Sequence, residues 1–177
     1  MELRFFQVDV FTRRLFGGNP AGVIPLDRWL DDAVMQRIAR ENNLSETAFF
    51  VSEGSHYGLR WFTPTVEVSL CGHGTLASAF VLFNELGLER TEVFFETSSG
   101  LLSVTRDGGR ILMDFPAWTL EPVDKIPKAL IEGIGMTPTE VFITNSKDNL
   151  FAILRDEAQV RSIRPRLEYL ETLHPAG

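Results

Sequence analysis

One stretch constrains this chain more than any other. From Thr75 to Leu86 the residues Leu76, Ala77, Ala79, Phe80, Val81, Leu82, Phe83 and Leu86 leave almost no polar face on a helix. A helix that is apolar nearly all round must be surrounded by protein. Its neighbours in sequence are mostly strand-like. The economical fold class is therefore α+β, a mainly antiparallel curved sheet wrapped around one central buried helix.

The flanking segments supply the sheet. Leu3 to Phe11 alternates and is rich in Phe and Val, as a strand requires. Val23-Ile24 opens a short second strand. Glu46 to Val51, Tyr57 to Phe62, Val66 to Leu70, Glu92 to Thr97, Leu101 to Arg106 and Arg110 to Phe115 follow, the last two joined by the hairpin signal Asp107-Gly108-Gly109. Asp31 to Asn42 fits a helix with Val34, Met35, Ile38 and Ala39 on one face. Phe16 to Gly22 is a dense cluster of breakers, hence a loop. Residues 1–116 thus form one domain. From Pro116 to Pro127 the chain has three prolines and no clear period, so residues 117–127 read as a linker. Residues 128–177 carry a helix (Lys128 to Ile134), two strands (Glu140 to Asn145, Leu150 to Arg155) and helical pieces to about Leu173. About 50 residues is at the lower edge of what folds alone, so this portion is expected to be the start of an incomplete second domain.

Charge and cysteine count narrow the function classes. The net charge is −7 with no Lys/Arg cluster, which argues against nucleic acid as a partner. No apolar run reaches the length of about 18 residues needed for a membrane span, so no membrane role is expected. One cysteine, Cys71, allows neither an intrachain disulfide nor a multi-cysteine metal site, and it suits a reducing, cytoplasmic setting. His56, His73 and His174 lack ligand spacing, so no metal is expected. No phosphate loop, dinucleotide fingerprint or Gly-x-Ser-x-Gly elbow occurs.

Four places carry chemistry-bearing residues. Glu46 stands at the entry of a strand that soon turns apolar. Apolar neighbours raise a carboxyl pKa, which suits a group that accepts and returns a proton; a solvated Glu at a strand end is the plainer reading. Cys71-Gly72-His73-Gly74-Thr75 joins a strand to the buried helix. Free N–H groups and the dipole at a helix start favour an anion such as a carboxylate, whereas a tight turn with His73 as a cap is the structural alternative. A thiolate of Cys71 there would have a lowered pKa, yet a buried Cys is commonly a small hydrophobe. Asn19 offers an amide to a ligand or makes an Asx turn. Ser98-Ser99-Gly100 reads as a turn rather than a hydroxyl pair facing substrate.

These pieces form a pattern. Phe16-Gly17-Gly18-Asn19-Pro20-Ala21-Gly22-Val23, Glu41-Asn42-Asn43-Leu44-Ser45-Glu46-Thr47-Ala48-Phe49, Arg60-Trp61-Phe62-Thr63-Pro64 and Glu67-Val68-Ser69-Leu70-Cys71-Gly72-His73-Gly74-Thr75-Leu76-Ala77 come in the order and spacing of the phenazine-biosynthesis PhzF family. Glu96 to Leu102 and Met113 to Pro116 also resemble it. The resemblance covers residues 3 to about 116 most closely. It implies a diaminopimelate-epimerase-like fold with the site between two similar domains. It implies a cofactor-independent isomerase of a small carboxylic acid, with Glu46 as acid/base residue and His73 beside it as the second catalytic residue. Asn19, Ser45, Cys71, Gly72, Gly74 and Thr75 fall in the motifs that line such a site and are the expected substrate contacts. Related epimerases place a catalytic cysteine at the position of Cys71 and a second one on the facing domain. A single cysteine cannot build that pair. The family's second-domain motif, Glu-Asp-Pro-x-Thr-Gly-Ser-Ala-like, does not occur in these 177 residues. The alternative expectation is a catalytically silent half-protein that binds a small acid or a partner chain. Open strand edges in the tail lead to the expectation of a homodimer.

Overall fold

The computed structural model describes residues 2–14, 16–144 and 149–173. The chain divides into two compact units, Met1–Phe115 and Pro116–Gly177.

The first unit contains β1 (Phe6–Val10), β2 (Asn19–Leu26), α1 (Asp32–Asn42), β3 (Glu46–Glu53), β4 (His56–Phe62), β5 (Glu67–Val68), α2 (Gly72–Phe80), a π-helical turn (Val81–Glu85), β6 (Glu92–Thr97), β7 (Gly100–Asp107) and β8 (Arg110–Asp114). The strands form one curved half-barrel sheet in the order β1-β2-β3-β4-β6-β7-β8, with β5 on β4. The sheet is mixed. β2 and β3 run parallel, with Ala21 opposite Glu46, and so do β4 and β6; the other neighbours are antiparallel.

β2 and β3 are covered on both faces, which is why their sequences read as near-continuous apolar runs rather than as an alternation. Val23, Ala48 and Phe50 point into a core that also holds Ala77, Ala79, Val81, Leu82 and Phe83 of the α2 segment, with Phe95, Leu102 and Val104 from the later strands. Ile24, Phe49 and Val51 point the other way, against Met35 and Ala39 of α1. α1 starts where the Asp31 carboxylate accepts the Ala33 N–H at 2.9 Å, and it stops where Asn43 turns left-handed at φ 50°.

Three expectations are corrected here. β2 begins at Asn19 inside the breaker cluster. Pro20 is tolerated because pairing with β3 starts only at Ala21, so no ladder bond from Pro20 to β3 is lost. The expected helix from Thr75 to Leu86 starts earlier, at Gly72, and changes pitch at Val81, where the Leu86 N–H reaches back to the Val81 carbonyl at 2.9 Å. It is also not enclosed on every side. Phe80 is 37% exposed, and with Leu76 it lines a groove of about 650 Å³ between the unpaired edges of β1 and β8.

The second unit has a three-stranded antiparallel sheet in the order β11 (Leu150–Ile153), β10 (Glu140–Thr144), β9 (Leu120–Pro122). β9 lies in the stretch expected as a linker. Around the sheet lie α3 (Lys128–Ile134), α4 (Glu157–Ser162) and α5 (Leu167–Leu170). Leu130, Val141 and Leu173 form its small core. Asn145, expected at the end of β10, is outside the described residues.

Candidate active site

The site is built where three chain segments meet. The parallel pairing of β2 and β3 brings their N-terminal ends to one rim of the sheet, so Asn19 and Glu46 start neighbouring strands. The N-terminus of α2 supplies Cys71, Gly72 and His73. Two hydroxyls hold the segment that enters α2: those of Ser98 and Ser99 both donate to the Ser69 carbonyl, at 3.2 and 2.8 Å. Ser98 and Ser99 thus serve the backbone, as the turn reading had it. Arg60 fixes β5 just upstream. It donates two parallel bonds to Glu67, at 2.7 and 2.6 Å, and one to Asp32 at 2.8 Å, and its guanidinium lies over Trp29 and Phe62. Arg60 holds the Asp32 carboxyl below its usual range, through its hydrogen bond first and its charge second.

His73 is the hub. Its Nε2 lies 3.0 Å from Glu46 Oε2 and 3.2 Å from Ser45 Oγ, and its Nδ1 lies 3.4 Å from Cys71 Sγ. Oε2 of Glu46 is shielded from solvent and takes no well-aimed hydrogen bond, so its approach to Nε2 is a close polar contact rather than a linear N–H···O bond. The Ser45 hydroxyl reaches the Pro20 carbonyl at 3.2 Å and Asn19 Oδ1 at 3.4 Å. The side chains of Glu46 and His73 are 20% and 11% exposed, so the pair is sheltered yet reachable.

Cys71 caps α2. Its sulfur accepts the Gly74 N–H at 3.4 Å. Burial pushes its thiol up to about 12, against a partial offset from the Gly74 N–H, and the nearby Glu46 charge raises it further. The lowered thiolate pKa that a helix start promises is therefore overridden by desolvation. Gly74 must be glycine, because an added Cβ would stand 2.7 Å from Trp61 Cδ1 and 3.1 Å from Cys71 Sγ.

The expected substrate contacts separate into two groups. Asn19, Ser45 and Gly72 are accessible at the rim, beside Glu46 and His73. Cys71, Gly74 and Thr75 are buried. The Gly74 N–H is spent on Cys71 Sγ, and both the N–H and the hydroxyl of Thr75 go to the Cys71 carbonyl, at 3.1 and 2.6 Å. The Gly74 and Thr75 N–H groups and the Thr75 hydroxyl are thus engaged within the helix start. Glu46, Cys71 and His73 each present one donor atom within 4.8 Å of the others. Histidine spacing in the sequence did not reveal this mixed set. His174 lies outside the described residues. Among the described residues, no helix is long and apolar enough to cross a membrane.

Comparison with known proteins identifies the family. The model of the family described as phenazine biosynthesis-like protein, PhzC-PhzF, matches residues 8–177. An uncharacterised isomerase of Pseudomonas aeruginosa is 49% identical over 177 residues, covering 100% of this chain and 67% of that one. The mouse phenazine biosynthesis-like domain-containing protein 1 is 46% identical over 192 residues, covering 100% and 66%. A crystal structure of a PhzF-family phenazine biosynthesis protein from Enterococcus faecalis superposes with a TM-score of 0.86 at 43% identity, over 98% of this chain and 65% of that one. The chain spans about two thirds of the length of the curated relatives it matches. By the family match across nearly its whole length, and by these relatives, the chain belongs to the PhzC-PhzF, phenazine biosynthesis-like family.

Proposed function

We propose that the protein is an isomerase that moves a proton on a small carboxylic acid, with Glu46 as the acid/base residue. The observation that carries this reading is the 3.0 Å approach of Glu46 to His73 at the start of α2. A carboxylate held there takes a proton from a carbon next to a conjugated system. The electron pair left behind spreads through that system, and Glu46 returns the proton at another carbon. Substrate and product are isomers, so atoms and charge balance with no oxidant or reductant. The Gly72 and His73 end of α2 presents N–H groups and the positive end of the helix dipole to the substrate carboxylate and to the charge that develops. His73, in contact with Glu46, completes the acid/base pair. Asn19 and Ser45 sit where they position the substrate.

The fold around this site is read as diaminopimelate-epimerase-like, with α2 as the central helix of the first unit and residues 128–177 as part of a second domain. The named function of the P. aeruginosa relative, isomerase, agrees with the chemistry. A second reading, a silent half-protein that binds a small acid or a partner chain, draws on the coverage of about two thirds. A homodimer in a cytoplasmic setting belongs to the same proposal. It draws on the free edges of β9 and β11 and on the exposed Trp118, Leu120, Phe151 and Ile153 around them.

The test is proton exchange. Unsaturated small carboxylic acids are incubated with the protein in heavy water and followed by proton NMR. Deuterium entering carbon sites with wild type and not with Glu46→Gln supports the isomerase. No exchange with any acid, together with measurable binding of one of them, supports the silent reading.

A further inference from the structure

We infer that Cys71 is a positioning residue that sets the tautomer of His73: its S–H donates to Nδ1, which leaves the ring proton on Nε2, facing Glu46 and Ser45. The functional meaning of this inference rests on the acid/base reading of Glu46, but the tautomer is a property of the free protein and is measured without a substrate.

The partners of each polar atom decide the direction. The sulfur already accepts the Gly74 N–H at 3.4 Å and lies 3.4 Å from Nδ1. If Nδ1 carried the proton, the sulfur would receive two N–H groups and the thiol proton would have no acceptor among the described residues. With S–H donating to Nδ1, both are used. Burial keeps the thiol protonated at neutral pH, so the donor is present.

The other side of the ring gives the same answer. A bare lone pair on Nε2 would face Glu46 Oε2 at 3.0 Å, two electron-rich atoms in a spot shielded from water. Such a contact is repulsive, and low local polarity strengthens it. A proton on Nε2 turns it into attraction. Ser45 Oγ, at 3.2 Å, then accepts as well, and its own proton goes to the Pro20 carbonyl or to Asn19 Oδ1. One orientation of the protons, running from Cys71 through His73 to Ser45, gives the thiol, both ring nitrogens and the Ser45 hydroxyl a partner, and sets a proton rather than a lone pair beside Glu46 Oε2. The reverse orientation strands the thiol proton and sets lone pair against carboxylate.

The consequence for chemistry is a directional one. A fixed Nε2–H beside Glu46 stabilises the carboxylate and is offered to negative charge on a substrate, whereas the other tautomer would offer an acceptor instead.

The experiment uses the 177-residue chain labelled with nitrogen-15 histidine. Signals are assigned with His56→Gln and His174→Gln. On the alkaline plateau of a pH titration, His73 is expected to show a pyridine-type Nδ1 and a pyrrole-type Nε2. Cys71 is the sole cysteine, so the S–H stretch in the infrared belongs to it alone; it is expected at lower frequency than a free thiol. In Cys71→Ala the ratio of the two tautomers falls roughly fivefold, the factor that one neutral hydrogen bond supplies. Cys71→Ser, with an O–H in the same place, restores it. A pyrrole-type Nδ1 in wild type overturns the inference, as does an unshifted S–H band or a ratio unmoved in Cys71→Ala. If the variants do not fold, the two wild-type signals decide alone. Proton exchange that survives Glu46→Gln would remove the acid/base reading and leave the tautomer result standing, so the two failures are distinguishable.

Discussion

His73 Nε2 lies 3.0 Å from Glu46 Oε2, although one residue opens a helix and the other opens a strand on a separate stretch of chain. The contact exists because β3 and α2 both begin at the same rim of the sheet. Its chemistry is open to direct tests.

Glu46→Gln keeps the shape of the side chain and removes its capacity to take a proton. In the heavy-water exchange assay the variant is expected to lose a factor of about 10² to 10⁴ in rate, the usual worth of general acid/base catalysis. Circular dichroism and the thermal midpoint should stay close to wild type. Full exchange in the variant would rule out Glu46 as the proton carrier.

The buried thiol makes a prediction about alkaline stability. Cys71 is raised from an ordinary 9.0 to about 12 in the folded state. The unfolded chain therefore releases this proton first. Stability linked to Cys71 is fully present below pH 9.0 and is lost as pH rises from 9.0 through about 12. Urea midpoints measured across that window should fall more steeply for wild type than for Cys71→Ser, which has no thiol to titrate. Equal slopes would mean that the thiol is not shielded. Thiol reagents should also react roughly a thousandfold more slowly with the folded than with the unfolded chain at the same pH.

Gly74→Ala and Gly72→Ala should differ sharply. A Cβ at Gly74 meets the ring of Trp61 at 2.7 Å, and Trp61 is only 1% exposed, so it has nowhere to retreat. The expected cost is about 1–3 kcal/mol, as for overpacking in a core. A Cβ at Gly72 meets nothing within 4 Å, and the folded state should be no less stable than wild type. Chemical denaturation of both variants checks this; equal stability of the two would contradict the packing at the helix start.

Association is testable by light scattering over a dilution series. The proposed homodimer predicts a mass that halves on dilution, and a charged residue at Phe151 (Phe151→Glu) should shift that transition to higher concentration. A monomer at every concentration, with the second unit folded, would remove the dimer from the proposal.

The strands from β3 onward, β9 apart, were legible because alternation and apolar runs survive in them, and α1 was legible from Asp31 and its apolar face; β9 was hidden among the prolines of the expected linker. Of β2 only the Val23-Ile24 part was legible; its start was hidden by Pro20, which precedes the pairing with β3, and by Gly22, which pairs with Thr47. The start of α2 was hidden for a related reason: Gly72-His73-Gly74 has poor helix propensity, and tertiary packing against Trp61 overrides it. The change of pitch at Val81 leaves no mark in an all-apolar run. Glu46 and His73 were legible through family-like motifs, and local pattern alone left each with a bland alternative. The approach of Cys71 to His73 was not legible, because it depends on the N-cap turning its sulfur inward. The Arg60 bridge to Glu67 and Asp32 was missed too, since charges far apart in sequence show no spacing rule.

The parallel register of β2 and β3 has a practical outcome for protein engineering. It leaves the hairpin tips at Gly54-Ser55 and Gly108-Gly109 on the rim opposite Glu46, and both glycines there with positive φ, Gly54 and Gly108, stand in open space. A fluorophore, an affinity tag or a short graft placed at either tip is held at a distance from the Glu46 end by the full length of the strands. The first unit thus offers two ready attachment points for immobilisation or labelling, each a strand's length from the rim that carries Glu46.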